Sequence, residues 1–144
     1  MTKTINLDCD GTWIDLYGVD GWLDDLQRQS VRPYIEAKPL VNLSALARVL
    51  NHLQREGWKI NIISWTSKSG GIDFHNAVVA AKKAWLAQHI PSVKWDNIFI
   101  VPYGTPKQTL ADGFLFDDES HNREAWGDGA YSEVNLINTL RSLL

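Results

Sequence analysis

The sequence predicts an α/β fold of three layers, a central parallel sheet with helices on both faces, and two observations carry that expectation. Short extended runs at Thr4–Leu7, Lys59–Ile63, Asn97–Val101 and Gly113–Phe116 alternate with stretches of helical period, and strands alternating with helices are the signature of a covered parallel sheet. Polar residues of catalytic type also stand directly after several of these runs, where ligands bind in such sheets.

Taken in order, Thr4-Ile5-Asn6-Leu7 stops at Asp8 and is followed by Gly11, which reads as a strand ending in a loop. From Thr12 to Val41 no period is sustained, and Gly18, Gly21, Pro33 and Pro39 interrupt the chain. An insertion of that length in a compact domain is usually functional. A short helix over Trp22–Gln29 fits within it. Leu43, Leu46, Ala47, Leu50 and Leu53 then recur at helical spacing, with Asn42 as N-cap and Gly57 at the stop position. Lys59–Ile63 is the second strand, ending at Ser64. A Ser/Gly-rich loop over Ser67–Gly71 leads into a helix from about Asp73 to His89, with Phe74, Val78, Ala81, Trp85 and Leu86 on one face and Pro91 beyond its end. Asn97–Val101 and Gly113–Phe116 are further strands, Glu119–Glu124 opens a helix, and Asn135–Leu144 is the last helix.

The 144 residues suit one domain over 1–144, with an insert at about 13–41. The formal charge of −3 is spread without long runs, so no basic footprint for duplex nucleic acid is present. No apolar run approaches the roughly 20 residues that span a bilayer, and the start MTKTINLDCD lacks the apolar stretch of a signal peptide. The single Cys9 has no intramolecular partner. Together these point to a cytoplasmic protein; a monomer or homodimer is the expectation, with no feature of the sequence choosing between them. Of the seven tryptophans, Trp58, Trp85 and Trp95 fall at core-facing positions. Trp13, Trp22 and Trp65 fall in loops beside the acidic residues, where they either pack or offer a flat face to a base or sugar.

The chemistry converges on strand ends. Asp8-Cys9-Asp10-Gly11-Thr12 follows the first strand, Ser64 the second, and Asp117-Asp118 the fourth. Four carboxylates brought together repel one another unless a cation lies among them. Carboxylate oxygens are the donors Mg²⁺ selects, commonly with substrate phosphate as a further ligand. The pattern thus implies Mg²⁺ held by Asp8, Asp10, Asp117 and Asp118. An EF-hand is excluded, because Trp13-Ile14-Asp15-Leu16-Tyr17 is too apolar and no glutamate follows at the twelfth position.

These residues resemble the haloacid dehalogenase superfamily of phosphohydrolases from Ile5 to about Trp126, with its four motifs in order. The first, Asp-x-Asp-Gly-Thr after an apolar strand, is matched by Asp8 to Thr12. The second, a Ser or Thr ending the next strand, is matched by Ser64, with Thr66 as competitor. The third is a lysine, for which Lys107 in Gly-Thr-Pro-Lys is preferred over Lys68, Lys82 and Lys83. The fourth is Gly-Phe-Leu-Phe-Asp117-Asp118.

The resemblance implies a Rossmann-like domain and an Mg²⁺-dependent phosphomonoesterase. Asp8 would be the nucleophile that forms an aspartyl-phosphate, and Asp10 the general acid and base. In enzymes similar to this one the Asp10 main-chain carbonyl is also a metal ligand. Ser64 and Lys107 would stabilise the transferring group, and either Asp117 or Asp118 would hold the metal directly. Gly11, Thr12, Trp13, Trp65, Thr66 and Arg123 complete the expected substrate contacts, Arg123 reaching a second anionic group. His75 and His121 lack the spacing of a zinc site and read as surface or supporting residues.

The insert is too short for a separate cap domain and reads as a small flap. Relatives with minimal caps accept exposed phosphomonoesters, nucleotides included, and the chain also resembles short sequences of the deoxynucleotidase type. The expected partner is a small phosphorylated molecule, a nucleotide 5′- or 3′-monophosphate being one. Phosphoryl transfer to another acceptor on the same scaffold, or a silent metal- and phosphate-binding domain, are the alternatives.

Overall fold

The computed structural model describes residues 2–144. Its main sheet has five parallel strands: β1 (Thr4–Leu7), β4 (Lys59–Trp65), β5 (Asn97–Val101), β6 (Phe114–Phe116) and β7 (Ala130–Tyr131), in the order β5-β4-β1-β6-β7. The helices are α1 (Trp22–Gln27), α2 (Arg32–Glu36), α3 (Leu43–Arg55), α4 (Ile72–His89), α5 (Ser120–Trp126) and α6 (Leu136–Ser142). A two-residue antiparallel pair, β2 (Ile14–Asp15) with β3 (Lys38–Pro39), closes the insert at its base. Among the described residues, no helix is long and apolar enough to cross a membrane.

The expected strands and the long helices form where sequence reading put them, and α3 shows why. Asn42 accepts the Ala45 amide at 3.0 Å, a cap worth about 1 kcal/mol. Gly57, at φ 92, takes the left-handed turn that sends the chain back into β4. The helix buries Leu46, Val49, Leu50 and Leu53. These meet Ile5, Leu7, Ile60, Ile62 and Phe116 of the sheet, Trp85 and Leu86 of α4, and Leu136 and Leu140 of α6 in one apolar cluster.

The insert is ordered rather than irregular. Leu16, Leu26 and Tyr34 bury against Phe74 and Val78 of α4. Arg32 pairs with Asp25 and Glu36 and donates to the Asp20 carbonyl at 2.6 Å, tying α1 to α2. Two-residue strands and a five-residue helix are too short to leave a period in a sequence, which is why β2, β3, β7 and α2 are invisible there.

On the sheet face opposite Ile5 and Ile60, three asparagines stand in register across β1, β4 and β5. Asn97 Nδ2 donates to Asn61 Oδ1 at 3.1 Å, Asn61 Nδ2 donates to Asn6 Oδ1 at 3.0 Å, and Asn6 Nδ2 reaches the carbonyls of Asp112 at 2.8 Å and Phe114 at 3.0 Å. A one-residue slip would strand the buried amides of Asn6 and Asn61, so the ladder fixes the alignment of the strands that carry the site. Replacing Asn61 with Leu leaves the buried Asn6 oxygen without its donor. The expected cost is about 1–3 kcal/mol in urea denaturation, and a change under about 0.5 kcal/mol would show that the ladder does not hold the strands.

Candidate active site

The chain steps outward from β1 through α3 to β4 and through α4 to β5, then returns past β1 to β6 and on to β7. The carboxyl ends of β1 and β6 therefore flank the point where the strand order reverses, the usual ligand site of such sheets. Leu7 and Phe116 are partners in register, so the next residues, Asp8 and Asp117, arrive side by side. The Asp8 amide donates to the Phe116 carbonyl at 3.0 Å, and the Asp117 amide to the Tyr131 carbonyl at 3.0 Å.

Lys107, from the short turn Lys107–Thr109, bridges the two acids: its Nζ lies 2.9 Å from Asp8 Oδ1 and 2.7 Å from Asp117 Oδ2. Burial disfavours its charge, but Asp8 and Asp117 overcome that and hold the ammonium above its ordinary value. The ring of Trp65 lies 5.3 Å from the same nitrogen. Of the four lysines weighed, Lys107 is the one whose ammonium reaches both Asp8 and Asp117.

Thr12 Oγ1 sits 2.8 Å from Asp8 Oδ2 and 3.2 Å from Asp118 Oδ1, and accepts the Asp118 amide at 3.1 Å. Gly11, at φ 81, allows this return of the chain. A Cβ there would stand 2.3 Å from Asp118 Oδ2. Asp117 is closed in further by the Glu119 amide at 3.0 Å, Asn122 Nδ2 at 3.2 Å and, on its carbonyl, Arg123 Nη1 at 3.0 Å.

Oxygen atoms of Asp8, Asp117 and Asp118 lie within 4.8 Å of one another. Burial, then the neighbouring Asp8, lift the Asp117 carboxyl above its usual range against the pull of Lys107. Asp118 is pushed up to about 8 by burial and by its contact with Asp8. Three hard oxygen donors in mutual repulsion fit a divalent cation of the magnesium type, which would relieve that repulsion. The Asp10 carboxylate stands outside this group. Its Oδ2 is 2.5 Å from Lys82 Nζ, so the carboxylate expected among the metal ligands is paired with a lysine instead of joining the cluster. Burial raises the Asp10 carboxyl and Lys82 opposes the rise.

A cavity of about 240 Å³ opens over these groups. Asp8, Asp10, Lys107 and Asp118 line its floor; Tyr17, Trp22, Leu23, Leu26 and Tyr34 come from the insert; Trp65, Thr66, Ser67 and Tyr103 form the other wall. Trp22 packs edge-on to Tyr17 at 4.9 Å, and Trp65 lies 4.9 Å from Tyr103.

Several expected substrate contacts are corrected by this geometry. Trp13 is fully buried against Trp85 and Trp95, because the β2–β3 pair turns it into the core. Thr12 and Gly11 shape the acidic loop and do not line the cavity. Arg123 points back to the Asp117 carbonyl and leaves the cavity unlined. Ser64 is also displaced from its expected place. Strand β4 continues to Trp65, so Ser64 lies one pleat below the strand end, fully buried and bonded to Lys82 at 2.6 Å. Thr66, the competitor, lines the cavity, and its Oγ1 is 2.8 Å from His75 Nδ1. Trp65 and Thr66 thus remain as wall residues.

Reasoning from sequence weighed Lys82 only as an alternative to Lys107 and missed its place beside Asp10. The signal was present: Phe74, Val78, Lys82 and Trp85 form one stripe at helical spacing on α4, and all four are buried. Tyr34, Tyr103 and Asn122 were also missed, and no motif marks them.

A model of the family described as 5′ nucleotidase, deoxy (Pyrimidine), cytosolic type C protein matches residues 24–130, more than half of the chain. The chain belongs to this family. It is accordingly a phosphatase of the haloacid dehalogenase superfamily, as the motifs implied. The family match begins downstream of Asp8–Thr12 and includes Thr66, Lys82, Lys107 and Asp117-Asp118. Among solved structures, the chain is similar to a D,D-heptose 1,7-bisphosphate phosphatase from Burkholderia thailandensis, at 13% identity and a TM-score of 0.61, over 99% of this chain and 98% of that one. It is also similar to the D,D-heptose 1,7-bisphosphate phosphatase of B. bronchiseptica solved with magnesium and phosphate, at 18% identity and a TM-score of 0.59, again over 99% and 98%. At these identities the likeness is one of fold. A comparison with curated proteins gives no match.

Gly11→Ala forces a side chain onto Asp118. It is expected to lower stability by about 1–3 kcal/mol and to slow phosphatase turnover; an unchanged thermal midpoint together with unchanged turnover would show that the loop accommodates it.

Proposed function

We propose that this phosphatase hydrolyses phosphomonoesters, nucleoside monophosphates among them, through a covalent phosphate on Asp8 with Mg²⁺ as cofactor. The observation that carries the reading is the floor of the cavity. There the Asp8 carboxylate, the Lys107 ammonium and the Asp10 carboxyl face one space.

Asp8, Asp117 and Asp118 would hold the ion, which supplies charge neutralisation and orientation of the phosphoryl oxygens. An Asp8 oxygen forms the new bond to phosphorus as the bond to the leaving oxygen breaks. That oxygen takes the departing electron pair and the proton of Asp10. Water then attacks the phosphorus of the aspartyl-phosphate and gives its proton back to Asp10. The P–O bond to Asp8 breaks, and inorganic phosphate leaves with Asp8 restored. Lys107 balances the charge of Asp8 and of the transferring group throughout, and Thr66 and its neighbouring amides are the proposed donors to the phosphoryl oxygens. The balance of burial against Lys82 at Asp10 suits a group that must exist in both protonation states.

For the leaving group, the aromatic walls around Trp22 and Trp65 support a flat substrate portion such as a base. A stacked base is worth about 1–3 kcal/mol. The core position of Trp13 removes it from this role.

Asp8→Asn is expected to abolish hydrolysis of nucleoside monophosphates and of p-nitrophenyl phosphate while leaving the protein folded; surviving hydrolysis would refute the nucleophile. Trp22→Ala should raise KM for a nucleoside monophosphate by about 5- to 100-fold, the equivalent of one stacked base, with little change for p-nitrophenyl phosphate. Equal effects on the two substrates would remove the stacking wall from the reading.

A further inference from the structure

Lys82 is the second buried cation of the molecule's interior, on α4 and far in sequence from the acidic loop. Its side chain is 6% exposed. The ammonium meets three partners: Asp10 Oδ2 at 2.5 Å, Ser64 Oγ at 2.6 Å and the face of the Tyr34 ring at 5.1 Å. Because an ammonium only donates, Ser64 must accept from it. The serine therefore spends an oxygen lone pair on Lys82, and it sits fully buried below the cavity floor. That geometry is the opposite of a hydroxyl presented to a phosphate.

We infer that Ser64 and Lys82 form a buried support that holds Asp10 in position to serve the leaving oxygen. This rests on the proposed role of Asp10 as general acid. Ser64 and Tyr34 fix the ammonium from two sides, and the ammonium occupies Asp10 Oδ2, which orients the carboxyl in the cavity floor. Lys82 and Ser64 are positioning residues: they act through Asp10 and touch no reacting atom. Tyr34 belongs to the insert, so the support also links the flap to the acid group.

The inference makes a prediction that distinguishes it from phosphate binding by Ser64. A group that binds the phosphoryl oxygens affects every substrate alike, since all carry the same phosphoryl group. A group that acts through the general acid affects substrates by their leaving group. A nucleoside alkoxide needs the proton of Asp10; p-nitrophenolate leaves well without it.

The test is rapid-quench measurement of the first turnover, which reads phosphorylation of Asp8 alone, with a nucleoside 5′-monophosphate and with p-nitrophenyl phosphate in saturating Mg²⁺. Asp10→Asn is the reference. Lys82→Met is expected to slow nucleoside release by about 10²-fold or more, the usual worth of a positioned acid, and nitrophenolate release by less than about threefold. Ser64→Ala, which removes a single hydroxyl and keeps the ion pair of Lys82 with Asp10, should show the same selectivity at smaller size. If either folded variant slows both substrates equally, or neither, the inference is overturned. Failure of the underlying reading looks different: Asp10→Asn itself would then show no dependence on leaving group.

Discussion

Everything at this site depends on the parallel pairing of β1 with β6. Because Leu7 and Phe116 are partners, the residues that follow them, Asp8 and Asp117, emerge as neighbours from positions more than a hundred apart in the chain. The sheet brings like charges together and leaves the rest of the fold to manage the repulsion. Asn6, in the asparagine ladder, keeps the alignment by donating to the Asp112 and Phe114 carbonyls, since a slip by one residue would leave its buried amide unpaired and turn the acids to the wrong face.

Two lysines from different parts of the chain answer the charge. Lys107 enters from the turn before β6 and pairs with Asp8 and Asp117. Lys82 enters from α4 and pairs with Asp10. The acids are thus divided into two groups with separate surroundings. Asp8, Asp117 and Asp118 share a cluster fit for a divalent ion, while Asp10 is kept apart beside its own cation. Neighbouring carboxyls with different environments are what a reaction using one as nucleophile and another as proton carrier requires. The insert completes the arrangement by seating Leu16, Leu26 and Tyr34 on α4 and closing one side of the cavity.

The sequence made the sheet and its acids legible because their signals are local. Apolar runs stop at Asp8 and at Asp117, and Asn42 and Gly57 bracket α3 as capping chemistry demands. The parts it hid depend on long-range packing. Nothing local says that Trp13 turns inward while Trp22, at the start of α1, stays at the cavity. Ser64 and Thr66 differ by one pleat of β4, and only the true end of that strand decides which reaches the cavity. Lys82 was readable in principle, as a charge on the buried stripe of α4, but a lysine is so often solvated that its place on that stripe does not by itself mark it as interior. Arg123, expected to reach a second anionic group of the substrate, instead supports the backbone of Asp117, a contact that no local signal announces.

The most direct measurement of the central claim is calorimetric titration of Mg²⁺ alone into the protein and into Asp117→Asn. The account predicts one ion bound per chain and an affinity at least about tenfold weaker in the variant, in line with the loss of a charged ligand. Absence of Mg²⁺ binding by the unaltered protein, or equal binding by both, would contradict it.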